Sequence, residues 1–179
     1  MAKQIILLLG GARSGKSYYA QQLAMELGNK VLFAATGEAL DEEMKARIAQ
    51  HKKDRPKTWR TLEIASGIGK KLEKQIGDAE VVIIDCITLL ISNLLRGKPD
   101  NSEAEKLAKA EINELIESMD KLDASFIIVS NEVGMGLVPD NKLGRIYRDL
   151  LGKANQLLAA HATEVYLMLA CLPVQVKKQ

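Results

Sequence analysis

The stretch "GGARSGKS", residues 10–17, decides the fold. It satisfies Gly-x-x-x-x-Gly-Lys-Ser with Gly10, Gly15, Lys16 and Ser17, and it stands between the apolar run "QIILLLG" and the helical pattern "SYYAQQLAMELG". Strand, glycine-rich turn and helix is the context in which this motif cradles phosphate. The glycines let the backbone turn tightly and aim N–H groups inward, and the helix N-terminus presents its positive dipole end. Gly11, Ala12, Arg13 and Ser14 complete the loop. Lys16 is expected to hold the β- and γ-phosphates of a nucleoside triphosphate and to take part in catalysis, and Ser17 to hold a magnesium ion. A glycine-rich turn without a ligand is the bland alternative.

Moving outward, four more strand-length apolar runs follow: "KVLFAAT", "EVVIIDC", "SFIIVSN" and "EVYLMLA". Runs that are apolar on both faces indicate buried parallel strands. Between them lie helical patterns. Residues 102–122 carry Leu107, Ile112, Leu115, Ile116 and Met119, and residues 140–162 carry Leu143, Ile146, Leu150, Ala154 and Leu157 at spacings of three and four. The alternation predicts an α/β fold, a single P-loop NTPase-like domain over residues 1–179, with a mostly parallel sheet and helices on both faces. Ligands of such sheets bind beyond the carboxyl ends of the strands.

The composition narrows the partners. Twenty-five Lys and Arg against 23 Asp and Glu give a net charge of +2, too balanced for a protein that works mainly by neutralising nucleic-acid phosphates. Small molecules are expected instead. Cys86 and Cys171 stand far apart with no Cys-x-x-Cys spacing, which fits a reducing cytoplasm. The N-terminal "IILLL" is too short for a signal peptide, and "VYLMLACLPV", broken by Pro173, is too short to span a bilayer.

A P-loop site needs a carboxylate at the end of a neighbouring strand, and "EVVIIDC" supplies Asp85. Asp85 has two readings, support for the metal or an N-cap for the helical "CITLLISNLL". A regulatory GTPase would show Asp-x-x-Gly and Asn-Lys-x-Asp, whereas the strand here ends "DCIT" and the nearest approximation is "NKLG". A small-molecule kinase matches length, charge and motif.

The blocks "GGARSGKS", "ATGEALDEEMKARIAQHKKDRPKTWRTLE", "DCITLLISNLL" and "NEVGMGLVP", followed by a helix through "ANQLLA", occur in this order from residue 10 to about residue 160. Together they resemble the bifunctional adenosylcobinamide kinase / adenosylcobinamide-phosphate guanylyltransferase family of cobalamin biosynthesis. The resemblance implies phosphorylation of adenosylcobinamide by a nucleoside triphosphate, ATP or GTP, then transfer of GMP from GTP onto the new phosphate. It also implies a histidine-bound GMP intermediate, here on His51, and a homotrimer. By motif match, Ala35, Thr36, Gly37, Lys52, Lys53, Asp54, Arg55, Glu63 and Asp85 would complete the nucleotide site. Relatives can carry two adjacent histidines in this block, but the neighbour of His51 is Gln50, and Asp85 stands where relatives use glutamate.

A neutral imidazole can attack the α-phosphorus of GTP, splitting one difficult transfer into two. Leu40, Met44, Ile48 and His51 follow helical spacing, so His51 is expected on the apolar side of a helix that Pro56 ends. Lys52, Lys53 and Arg55 read either as a solvated basic face or as balance for the triphosphate and leaving pyrophosphate. "NEVGMGLVPDN" reads as a loop with a helix start at Pro139 and Asp140. His161 reads as structural. Two other functions compete: a kinase for a different small hydroxyl compound, with no covalent GMP, and a nucleotide-controlled binding protein.

Overall fold

The computed structural model describes residues 3–39, 41–53, 55–96 and 101–178, without the side chains of Arg47, His51 and Asn101. Leu40 and Asp54 lie outside the described residues. The strands are β1 (Ile5–Gly10), β2 (Val31–Ala35), β3 (Arg60–Glu63), β4 (Val81–Asp85), β5 (Ser125–Val129), β6 (Glu164–Leu169) and β7 (Leu172–Lys178). The helices are α1 (Lys16–Leu27), α2 (Glu42–Lys53), α3 (Ile68–Gln75), α4 (Ile87–Leu95), α5 (Asn101–Lys121) and α6 (Lys142–His161). All seven strands form one sheet in the order β3-β2-β4-β5-β1-β6-β7, parallel except for β7.

The apolar runs become strands because both faces of the sheet are covered. Alternate residues go to opposite sides, so neighbours in one strand serve different cores. Ile6, Leu8, Phe33, Ile83 and Ile127 pack with Ala20 and Ala24 of α1. Leu7, Leu32, Ile84, Phe126 and Ile128 pack on the other face with residues of α3, α4, α5 and α6. Each such side chain, fully withdrawn from water, contributes about 1.5–3 kcal/mol.

The five strands and five of the helices expected from sequence are present, and the differences have physical reasons. β3 is four residues long, β7 is exposed, and α3, although amphipathic with Ile68 and Leu72 buried, runs for only eight residues. The buried stripe of α5 is Ala104, Ala108, Ile112, Leu115 and Met119, while Leu107 faces solvent. In α6 the core face is Leu150, Leu151, Ala154 and Leu158, and Leu143 is exposed. That helix begins at Lys142, not at Pro139 and Asp140, because Asn141 is its N-cap and accepts the Gly144 N–H at 2.7 Å. Pro173 does not end the C-terminal apolar segment. It sits in β7, an edge strand, where a missing N–H is tolerated.

Candidate active site

Because six strands run parallel, their carboxyl ends gather on one edge, and the loop after β1 lies there. Gly15 caps α1 with φ 90°, left-handed backbone that glycine adopts without strain. Lys16, the first residue of α1, is folded back into the loop. Its ammonium donates to the carbonyls of Gly10 (2.9 Å) and Gly11 (2.6 Å) and to Ser14 Oγ (3.3 Å). Burial lowers the Lys16 pKa, while Cys86 and Asp85 push the other way. An anion entering the loop would give this desolvated cation a charged partner, which main-chain carbonyls do not.

The loop opens on a cleft of about 560 Å³. Its walls are residues 12–17, Asp85, Cys86, Thr88 and Leu89 from the β4–α4 junction, Asn131 after β5, Met44 of α2, and Cys171. A side compartment of about 80 Å³ adjoins it, lined by Ala35, Gly37, Met44, Ile48, Arg55, Glu63, Asp85 and Leu89. Met44, Asp85 and Leu89 border both spaces. Residues far apart in sequence thus meet around Asp85, which ends β4 while Cys86 occupies the N-cap position of α4. Asp85 is therefore a carboxylate facing the cleft and not the cap of α4.

Arg55 has an unusual setting. Its guanidinium carbon lies 3.5 Å from the centre of the Phe33 ring, and its Nε and Nη1 are buried with no hydrogen-bond partner among the described residues. Burial lowers its pKa, opposed by the charges of Asp85 and Glu63. Buried guanidinium nitrogens without acceptors favour an anionic ligand that can supply them. Lys52 is paired with Glu63, and Lys53 is exposed. His51 belongs to α2, between Ile48 and Arg55, both of which line the side compartment.

Thr36 plays a different part from its neighbours. It is buried, its hydroxyl donates to the Cys86 carbonyl (2.6 Å) and accepts the Cys86 N–H (2.8 Å), and so it fastens the end of β2 to that of β4. Asn93 adds a bond from its side-chain amide to the Thr36 carbonyl at 2.8 Å.

Several cleft residues escaped sequence reasoning. Thr88 Oγ1 accepts the Asn131 N–H at 2.9 Å, Ser130 Oγ donates to Asn155 Oδ1 at 2.6 Å, and Asn155 Nδ2 donates to the Asn131 carbonyl at 3.0 Å. This buried network fixes the chain where it leaves β5. The available signals were polar residues just past strand ends, in "DCIT" and "SN", and the asparagine of "ANQLLA" amid apolar neighbours. His161 closes α6 with Nε2 3.0 Å from Asp120 Oδ1, away from the cleft, in keeping with a structural role.

A glycine-rich loop between a buried strand and a helix, its lysine turned inward and an aspartate at the end of a nearby parallel strand, defines a P-loop nucleotide-binding protein. The fold agrees with a solved structure of the RadB recombinase, with a TM-score of 0.51 and 13% identity over 92% of this chain and 73% of that one. Within the class, residues 6–176 match the model of the cobinamide kinase / cobinamide phosphate guanyltransferase family. The chain belongs to that family. It is 41% identical to the bifunctional adenosylcobalamin biosynthesis protein CobU of Escherichia coli over 97% of this chain and 99% of that protein. It is 39% identical to CobU of Salmonella typhimurium over the same shares, and 40% identical to CobP of Pseudomonas aeruginosa over 96% of each. The protein is thus a bifunctional transferase of adenosylcobalamin biosynthesis. Among the described residues, no helix is long and apolar enough to cross a membrane.

Proposed function

We propose that one cleft serves both reactions, with Lys16 and the loop of residues 10–17 handling the triphosphate and His51 carrying GMP between steps. The supporting observation is that Met44 and Ile48 of α2 and Arg55 just beyond it, on both sides of His51 in sequence, line the same compartment as Asp85, and Met44 and Asp85 also border the cleft over the phosphate loop. In the kinase step the aminopropanol hydroxyl of adenosylcobinamide attacks the γ-phosphorus of ATP or GTP, its proton leaves, and the nucleoside diphosphate departs. In the second reaction a neutral His51 nitrogen attacks the α-phosphorus of GTP, a P–N bond forms, and pyrophosphate leaves. An oxygen of adenosylcobinamide phosphate then displaces the imidazole, forming a P–O–P bond and adenosylcobinamide-GDP.

Arg55, short of acceptors, and Lys52, paired with Glu63, would balance the triphosphate and the departing pyrophosphate. Lys53 and Asp54 belong to the same proposed set, with Ala35, Thr36 and Gly37 bordering the nucleotide. Ser17 and Asp85, hard oxygen donors on the cleft wall, suit magnesium. Among the described residues no three His, Cys, Asp or Glu side chains converge, so phosphate and water oxygens would complete its shell. When bound, magnesium neutralises charge on the phosphates. A homotrimer is what the resemblance implies, while one domain for both activities and a cytoplasmic location fit the chain's length and its two widely spaced cysteines.

Incubation with adenosylcobinamide, ATP, GTP and magnesium should yield adenosylcobinamide-GDP and pyrophosphate, and Lys16→Ala should lose both steps. Nucleotide consumption unaffected by adenosylcobinamide would contradict the proposal.

A further inference from the structure

The C-terminal hairpin has no task in the chemistry described so far. β7 is exposed along nearly its whole length and adds little to either core. Its turn, however, lands on the phosphate loop. β1 and β6 are parallel neighbours with Gly10 opposite Met168, and just beyond, Ala170 and Cys171 reverse the chain with φ of 49° and 67°. Two successive left-handed residues that are not glycine are costly and persist only where the surroundings determine them. The two-residue link between paired Leu169 and Leu172 demands this geometry, and the finished turn packs against the phosphate loop. The Cys171 N–H donates to the Ser14 carbonyl at 2.9 Å. Gly15 approaches so closely that a Cβ on it would lie 2.7 Å from Cys171 Sγ and 2.9 Å from Cys171 Cα.

We propose that the Ala170–Cys171 turn is a positioning element for the phosphate loop, its Cys171 amide setting the orientation of the Ser14–Gly15 peptide. In a trans peptide the N–H points opposite the carbonyl, so fixing the Ser14 carbonyl on the hairpin also fixes the direction of the Gly15 N–H. That N–H is one of the loop's donors for phosphate. The edge strand β7 then serves to hold the turn in place. This inference rests on reading residues 10–17 as the nucleotide cradle.

The test inserts one glycine between Ala170 and Cys171, a loop length that hairpins accept, which shifts the amide and leaves every loop side chain unchanged. The ligand is α,β-methylene-GTP, which a histidine cannot cleave at the α-phosphorus. Its dissociation constant should rise about fivefold, the equivalent of about 1 kcal/mol, with the thermal midpoint nearly unchanged. A glycine inserted after Val176, in the same exposed strand, should leave binding as in the parent protein. Equal affinity for the turn variant and the parent, or equal loss from both insertions, overturns the inference.

If the turn insertion prevents folding, N-ethylmaleimide on the unmodified protein decides the matter. Cys86 is half-buried with its thiol pushed up to about 12 by burial, so it reacts far more slowly than the exposed Cys171, and the extent of labelling at each is read by peptide mapping. The Cys171 adduct, pressed against Gly15, should weaken binding at least as much, and bound analogue should slow the modification. Complete modification with unchanged affinity would overturn the inference. Lys16→Ala serves as the control for the cradle: if it binds normally, the cradle reading itself fails, whereas loss in Lys16→Ala with normal binding in the hairpin variants removes only this inference.

Discussion

Gly15→Ala is expected to be far more damaging than Gly11→Ala, although both add one methyl to the same loop. At Gly15 the backbone has φ 90° and ψ 5°, and an L-residue held in left-handed backbone costs about 1–2 kcal/mol. The added Cβ would also meet Cys171 Sγ at 2.7 Å and Cys171 Cα at 2.9 Å. The sulfur can rotate away but the backbone carbon cannot, and overpacking of this kind costs about 1–3 kcal/mol. The sum is about 2–5 kcal/mol, which lowers the thermal midpoint of a chain this size by about 4–20 °C. At Gly11 a Cβ meets nothing within 4 Å, and the change should stay within about 0.5 kcal/mol. Thermal and urea unfolding, with binding of a GTP analogue, read both effects. Adding Cys171→Gly to Gly15→Ala should recover only part of the loss, since the hairpin backbone still crowds the new methyl. If Gly15→Ala melts with the parent protein, the packing of hairpin on loop is not as described.

Asn155→Ala should destabilise by about 2–4 kcal/mol, because it leaves the buried Ser130 hydroxyl and Asn131 carbonyl without partners. The urea midpoint should fall by about 1 M or more, and an unchanged midpoint would mean the network carries no energy. Acid should also destabilise the fold. The Glu80 carboxylate is held below its usual pKa by the Asn29 and Lys30 N–H groups, Glu73 by the Ser118 hydroxyl, and Glu114 by the Lys70 ammonium. Folded values below unfolded ones give stability that is present above about pH 4.3 and lost as pH falls further. Glu80→Gln should flatten the thermal midpoint's dependence on pH in that range, and an identical dependence would contradict the assignment.

How much of this was legible in the sequence depended on what each residue is buried against. The five core strands announce themselves because residues such as Ile83 and Ile84 are buried on opposite faces, which leaves no polar position in the run. β3 has the pattern "RTLE" and is held mainly by main-chain pairing with β2, which sequence patterns do not record. The phosphate loop was readable because its chemistry is local. The cleft's other walls were only partly so: Asp85 and Glu63 carried a motif, but Thr88, Asn131 and Cys171 reach the cleft through tertiary packing that no spacing encodes. Thr36 matched the motif as a lining residue, yet its hydroxyl serves the backbone of Cys86. The stripe expected for α2 survives as Met44 and Ile48, both half-buried at the cleft, while Leu40 and the His51 side chain fall outside the described residues.

The most direct test of the shared cleft is covalent labelling with GTP carrying radiolabel on its α-phosphate. The parent protein should retain label through a bond that acid breaks and alkali does not, as expected of a phosphoramidate on histidine. Lys16→Ala should lose it for want of bound nucleotide, and His51→Ala should lose it while still phosphorylating adenosylcobinamide. Equal labelling of the parent and His51→Ala would contradict the account.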